Sequence, residues 1–197
     1  IELLGNLEIN VITYFQSSLF KINQLPFDIG GLPDVFTNFR KALEHFDIKP
    51  NKPASLSNKI FNIASIKDIK FVELETNLNR YSESSFPIMD KDFMGGEKSG
   101  TLYLKKYFQS NKAESYKYTR NELTGINFST KFSPWLALGY ISARQVFFSL
   151  SEYENKNIKN ESTYWIFFEL LWRDYFRFIM IKYGEKLFFK RGLNLSK

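Results

Sequence analysis

Between Ser162 and Tyr183 the chain is apolar on almost every side of a helix, yet four charges sit in the middle of the run. Trp165, Ile166, Phe167, Phe168, Leu170, Leu171, Trp172, Tyr175, Phe178 and Ile179 leave no polar face wide enough for a surface helix, so this segment is either buried or crosses a membrane. Glu169, Arg173, Asp174 and Arg177 decide between the two. Each charge at a bilayer centre costs about 2.5–3.5 kcal/mol, and four make a membrane span untenable. The segment reads as the central helix of a globular helical domain, and Gly184 is its C-terminal stop.

The chemistry open to such a domain is narrowed by what the chain lacks. It has no Cys, which excludes disulfides, thiolate nucleophiles and Cys-based metal sites, and its single His, His45, lies in a charged stretch and reads as a surface residue. No metal site is expected. Carboxylates, hydroxyls, aromatics, Lys and Arg remain, together with a bound cofactor. Aromatics make up 18% of the 197 residues, which fits either bulky core side chains or a pocket for a planar ring system. Charge is uneven: residues 1–96 hold 10 basic and 12 acidic side chains, and residues 97–197 hold 17 and 9. The basic half fits an anionic partner such as nucleic acid or a phosphorylated cofactor, although solubility alone also explains it.

Along the chain, the opening Ile1-Glu2-Leu3-Leu4-Gly5 has no initiator Met and no cleavable leader pattern, and reads as the interior of a longer protein. Val11-Ile12-Thr13-Tyr14-Phe15 reads as one strand whose sheet neighbours lie upstream. Leu25 to Pro33 is turn-rich, and Val35 to Phe46 is a short helix with Val35, Phe36, Phe39, Leu43 and Phe46 on its apolar side. Asp47 to about Lys67 reads as a surface linker, Ile66 to Asn79 as a short helix, and Ser82 to Gly96 as loop. From Glu97 the pattern turns helical, with Leu102, Leu104 and Tyr107 near helical spacing. Ser133-Pro134 predicts a helix start with Ser133 as cap and Gly139 as stop. Ser142 and Gln145 form a capping box, with Ile141 and Val146 as its staple.

Three constellations can carry chemistry. At 100° per residue, Trp165, Glu169, Trp172, Arg173 and Phe176 share one stripe about 100° wide. Either the stripe lines a cleft, with Trp172 as a stacking plane, Glu169 as an acceptor and Arg173 as an anion contact, or Glu169 and Arg173 form an ordinary i,i+4 ion pair. Ser129-Thr130-Lys131-Phe132-Ser133-Pro134 sets three hydroxyls and a Lys before a helix start, which reads by itself as an ordinary polar loop with a cap, the alternative being a phosphate site. Tyr116-Lys117-Tyr118-Thr119-Arg120-Asn121 interleaves aromatics with bases, as nucleotide-binding segments do.

The run from Ser129 to Gly139 resembles the flavin-binding signature of the photolyase/cryptochrome family, and Phe168 to Arg177 resembles the signature on that family's central helix. Leu32 to Lys41 and Gly95-Gly96-Glu97 resemble its cryptochrome-DASH branch. The fold implied is mostly α: the first part of the helical FAD-binding domain, preceded by a linker and the last strand of an α/β antenna domain. The corresponding expectations are an antenna-domain tail at 1–26, an interdomain linker with short helices at 27–96, and the N-terminal half of the FAD-binding domain at 97–197.

The resemblance also implies site residues. Tyr116, Ser129, Thr130, Lys131, Phe132, Ser133, Glu169 and Arg173 are expected at FAD, mostly near its phosphates; Lys131 stands where many relatives have Arg. Arg120, Glu169, Trp172 and Arg173 are expected at DNA, with Glu169 and Trp172 as the catalytic pair. The implied activity is blue-light-driven repair of cyclobutane pyrimidine dimers by electron transfer from reduced FAD, with single-stranded DNA the favoured partner. The rivals are a blue-light signalling cryptochrome without repair and a cofactor-free nucleic-acid-binding module. A folate antenna (methenyltetrahydrofolate) is expected in the full-length protein. Residues 1–197 are expected to be inactive alone, because the family's photoreduction tryptophans and further flavin contacts fall after Lys197. The protein is expected to be monomeric and off the membrane, in the cytoplasm of a bacterium or in an organelle or the nucleus of a eukaryote.

Overall fold

A computed structural model describes residues 17–53, 93–122 and 125–193. The strand expected at Val11–Phe15 and the helix expected within Ile66–Asn79 lie outside these residues. The described residues form helices and turns, with no strand among them. In chain order the α-helices are α1 (Phe36–His45), α2 (Glu97–Gln109), α3 (Lys112–Thr119), α4 (Ser133–Ala137), α5 (Ala143–Lys156) and α6 (Glu161–Tyr183). Short 3-10 turns at Ile22–Gln24 and Gly184–Phe188 precede α1 and follow α6.

Helix α6 is the hub. Helices α1, α3 and α5 and the closing 3-10 turn all pack on it, which is why its sequence has no continuous polar face. Ile166, Leu170, Leu171, Tyr175 and Phe178 are its buried apolar positions. The helix stops where expected: Gly184 has φ 54°, and its N–H still reaches the Met180 carbonyl. Its start is better fixed than the sequence reading anticipated. The Asn160 side chain accepts the Thr163 N–H at 2.9 Å, and Thr163 Oγ1 accepts the Asn160 N–H at 3.1 Å. The capping box of α5 forms as expected, with Ser142 N–H donating to Gln145 Oε1 at 2.7 Å and Gln145 N–H to Ser142 Oγ at 3.1 Å. Ile141 and Val146 beside it are both buried.

Three expectations need correction. Helix α1 buries Phe36, Phe39 and Leu43, but Val35 and Phe46 are exposed, because both flank the helix. Helix α2 buries Gly100, Tyr103, Leu104 and Tyr107 and turns Leu102 outward. Gly100 is required there: a Cβ would lie 2.9 Å from Trp135 Cδ1. Ser133 is not a cap. It is the first helical residue of α4, the flanking position is Phe132, and Pro134 occupies the first turn.

Two devices tie the earlier chain to α6. Helix α1 is held through Arg40, which reaches Glu44 at 2.9 Å and the Tyr164 hydroxyl at 3.0 Å, and through Asp34, which accepts Lys182 Nζ at 2.7 Å. The second device grips the backbone of Ser17–Phe20. Asp174, fully buried, accepts the N–H groups of Leu19 and Phe20, each at 2.9 Å. Arg144 donates to the Leu19 carbonyl at 3.0 Å, Arg173 to the Ser17 carbonyl, and Arg177 to the Ser18 hydroxyl at 3.1 Å. Burial pushes the Asp174 carboxyl up to about 6, against the pull of the two N–H groups and of Arg173 and Arg177.

Candidate functional site

Two cavities meet at Glu169. The front one is an open basin of about 550 Å³ lined by Arg120, Trp165, Phe168, Glu169, Trp172 and Phe176. The rear one is narrower, about 190 Å³, and is lined by Tyr116, Thr130, Phe132, Ser133, Leu136, Val146, Ile166, Glu169, Leu170 and Arg173. Both walls follow from the pitch of α6. Residues 165, 169, 172 and 176 face the basin on one stripe, and Arg173, at that stripe's edge, turns to the rear. Glu169 is the side chain common to both.

The basin is an aromatic surface with one ion pair in it. Trp172 stacks on Phe36 of α1, with ring centroids 3.6 Å apart and planes 12° from parallel, and more loosely on Phe176 at 5.4 Å. Trp165 packs on Phe168 at 4.4 Å. Arg120, the residue that closes α3, pairs with Glu169, and its guanidinium lies 4.2 Å from the Trp165 ring centre. The i,i+4 alternative is therefore not what forms: the partner of Glu169 is Arg120 on another helix. Burial pushes the Glu169 carboxyl upward, and the Arg120 charge opposes that shift.

The rear cavity mixes polar and apolar side chains. Thr130, Ser133 and the Arg173 guanidinium supply donors, and Tyr116 is buried, its phenol pushed up to about 12 by burial and by the charge of Glu169. Arg173 is also a structural residue, donating to the carbonyls of Ser17 and Leu136, the latter at 3.2 Å. Burial and the nearby Arg177 charge lower its proton affinity. The loop feeding this cavity holds two non-glycine residues in the left-handed region, Ser129 at φ 58° and Lys131 at φ 55°. Such conformations cost of order 1–3 kcal/mol and persist where the surroundings enforce them, frequently at ligand clamps. The cavity is smaller than the roughly 300–1,000 Å³ of complete ligand sites. Its donors suit an anionic or sugar-bearing part of a larger molecule.

The sequence-selected residues thus divide. Tyr116, Thr130, Phe132, Ser133, Glu169 and Arg173 gather at the rear cavity; Arg120, Glu169 and Trp172 gather at the basin. Ser129 and Lys131 shape the loop without lining either cavity. Phe36 and Phe168, not among the expected site residues, also wall the Trp172 surface. Phe168 sits one position before Glu169 on the same helix and was findable, whereas Phe36 lies far away in sequence. Among the described residues no cluster of metal-ligating side chains occurs, and no helix is long and apolar enough to cross a membrane.

No family model matches the chain. Curated relatives do. The chain is 42% identical over 192 residues to cryptochrome DASH of Danio rerio, a match covering 94% of this chain and 36% of the relative. It is 40% identical over 187 residues to cryptochrome DASH of Synechocystis sp., covering 91% and 37%. A solved cryptochrome structure from Synechocystis sp. aligns with TM-score 0.75 at 37% identity, over 98% of this chain and 40% of that one. The chain therefore spans little more than a third of the length of these relatives.

Proposed function

Because this chain matches a segment of the photolyase/cryptochrome family and is most like its cryptochrome-DASH branch, we propose that its protein repairs cyclobutane pyrimidine dimers in DNA, single strands foremost, in an FAD- and blue-light-dependent reaction. The observation that carries this reading is the position of Glu169, shared by a basin of aromatic side chains and a donor-lined cavity behind it. Reduced FAD, when bound, supplies the light-driven electron for ring splitting. Thr130, Ser133 and Arg173 would hold its anionic portion at the rear cavity, with Tyr116 and Phe132 as walls and with Ser129 and Lys131 setting the course of the loop.

The chain's own part in repair is to receive and orient the extruded dimer. Trp172 and Trp165 offer flat apolar surface, which contributes about 1–3 kcal/mol per stacked base. Extrusion costs a few kcal/mol from a duplex and less from a single strand. Glu169 accepts base N–H groups when ionised. Arg120 holds the strand. In this reading residues 1–26 end an antenna domain that takes a folate, 27–96 link, and 97–197 begin the FAD domain.

The test is repair quantum yield on a thymine-dimer oligonucleotide with full-length protein, FAD occupancy being checked in the same samples. Trp172→Ala is expected to lower lesion affinity by about 1–3 kcal/mol, and Glu169→Gln to lower the yield with flavin retained. Undiminished yield in both variants would remove these assignments. Two observations favour a signalling cryptochrome instead: Arg120 already occupies Glu169, and Phe36 already covers one surface of Trp172. Flavin photochemistry without dimer splitting in the wild-type protein would establish that alternative.

A further inference from the structure

Arg120 lines the aromatic basin in a position that does two things at once. Its guanidinium is the ion-pair partner of Glu169, and it lies 4.2 Å from the centre of the Trp165 ring. Both surfaces are ones an entering base would need. The pair is accessible rather than entombed, with the Arg120 side chain 26% exposed and Glu169 36%. Arg120 also follows the last turn of α3, where the helix carbonyls favour a cation, so it has a stable resting place without any ligand. The other polar groups near Glu169, Tyr116 from α3 and Arg173 from α6, line the rear cavity and do not seal the basin. Burial raises the Glu169 carboxyl, and the Arg120 charge opposes that shift.

A ligand that enters the basin must separate this pair. A neutral planar molecule offers stacking on Trp165 but nothing for the released guanidinium. A nucleotide brings a base edge for Glu169 and, a few ångströms away, a phosphate for Arg120. Building on the DNA-repair reading above, we propose that Arg120 is a specificity-determining guard: an exchangeable counter-ion that screens Glu169 and Trp165 from uncharged ligands and yields to a base whose own phosphodiester takes its place. Selection for the charged strand then comes from exchange of partners, not only from attraction to phosphate.

Exchange predicts effects of opposite sign, which a simple phosphate contact does not. Flavin-loaded full-length protein is titrated in the dark with two short thymine-dimer strands, one with natural phosphodiesters and one with uncharged methylphosphonate linkages. Arg120→Ala should weaken the phosphodiester strand about tenfold, as loss of a charge-assisted contact does. It should tighten the uncharged strand about two- to fivefold, the range set by the ion pair no longer broken. Arg120→Lys, which keeps the counter-ion, should retain the wild-type preference. An uncharged strand bound equally or more weakly by Arg120→Ala overturns the guard, as does a Lys variant that behaves like Ala. If the wild-type protein binds neither strand, the repair reading falls with it. If the wild-type binds and Arg120→Ala merely weakens both strands, the guard alone falls.

Discussion

Phe36 lies flat on Trp172, with ring centroids 3.6 Å apart and planes within 12° of parallel. One ring comes from α1 and the other from the central helix, so the wall of the candidate basin is assembled from two distant stretches of chain. Phe36 also meets Phe168 edge-on at 5.1 Å and Tyr175 at 5.6 Å.

Phe36→Ala should therefore act on both stability and the site. Removing a ring that is only 5% exposed should cost about 3–5 kcal/mol in denaturant unfolding. Phe36→Leu should cost less and still shift Trp172 fluorescence. An unchanged emission spectrum in both variants would show that the stack does not persist in solution.

Arg120 and Arg173 should separate in salt-dependent DNA binding. Arg120 faces the basin, and Arg120→Ala should flatten the slope of log K against log salt by about 0.7 on a single strand. Arg173 faces the rear cavity and holds the Ser17 and Leu136 carbonyls. Arg173→Ala should leave the slope alone while lowering flavin content and thermal stability. Equal slope changes in the two variants would place Arg173 on the DNA path after all.

Asp174 should leave a signature in the pH dependence of stability. Its carboxyl is raised to about 6 in the folded protein, above its ordinary range near 3.8. A raised folded value means that stabilisation from this group is complete below the ordinary range and disappears as pH climbs to about 6. The stability difference between the wild type and Asp174→Asn should therefore change between pH 4 and 6, by at most about 3 kcal/mol. Asp174→Ala, which strands two buried N–H groups, should cost about 3–5 kcal/mol at neutral pH. A wild-type-minus-Asn difference that stays flat across that window would contradict the shift.

Within the phosphate-like loop, the hydroxyls should not be equivalent. Thr130 and Ser133 line the rear cavity, and replacing either with Ala should weaken flavin retention by about 1.5–3 kcal/mol. Ser129 acts through its backbone at φ 58°, so Ser129→Gly should be tolerated and Ser129→Val should not. Flavin content after dialysis of each full-length variant checks the order.

What could be read from sequence was what local rules govern. The central helix, its glycine stop and the Ser142–Gln145 box followed from periodicity and capping, and the stripe from Trp165 to Phe176 followed from helical pitch. Arg173 was expected on the same face as Glu169 and Trp172, but it lines the rear cavity and not the basin. The partner of Glu169 was not legible, since Arg120 is 49 positions earlier. Asp174 was visible as a charge in an apolar run, but the N–H groups that justify it belong to Leu19 and Phe20, 155 and 154 positions away. Ser133 failed as a cap because the chain entered α4 one residue sooner than its Ser-Pro pair implied.

The grip of Asp174, Arg144, Arg173 and Arg177 on Ser17–Phe20 has a consequence for how the chain can vary. It closes a very long loop, and the entropy of closing a loop grows only with the logarithm of its length: each doubling costs about 0.6 kcal/mol. Residues inserted between 53 and 93 would add little to a closure already made at a distance. The grip uses mainly backbone amides and carbonyls, but Leu19 and Phe20 are also fully buried and the Ser18 hydroxyl accepts from Arg177, so both the gripped segment and the residues that grip it are constrained. Change in length should therefore be tolerated between the two ends of the clamp and not at either end.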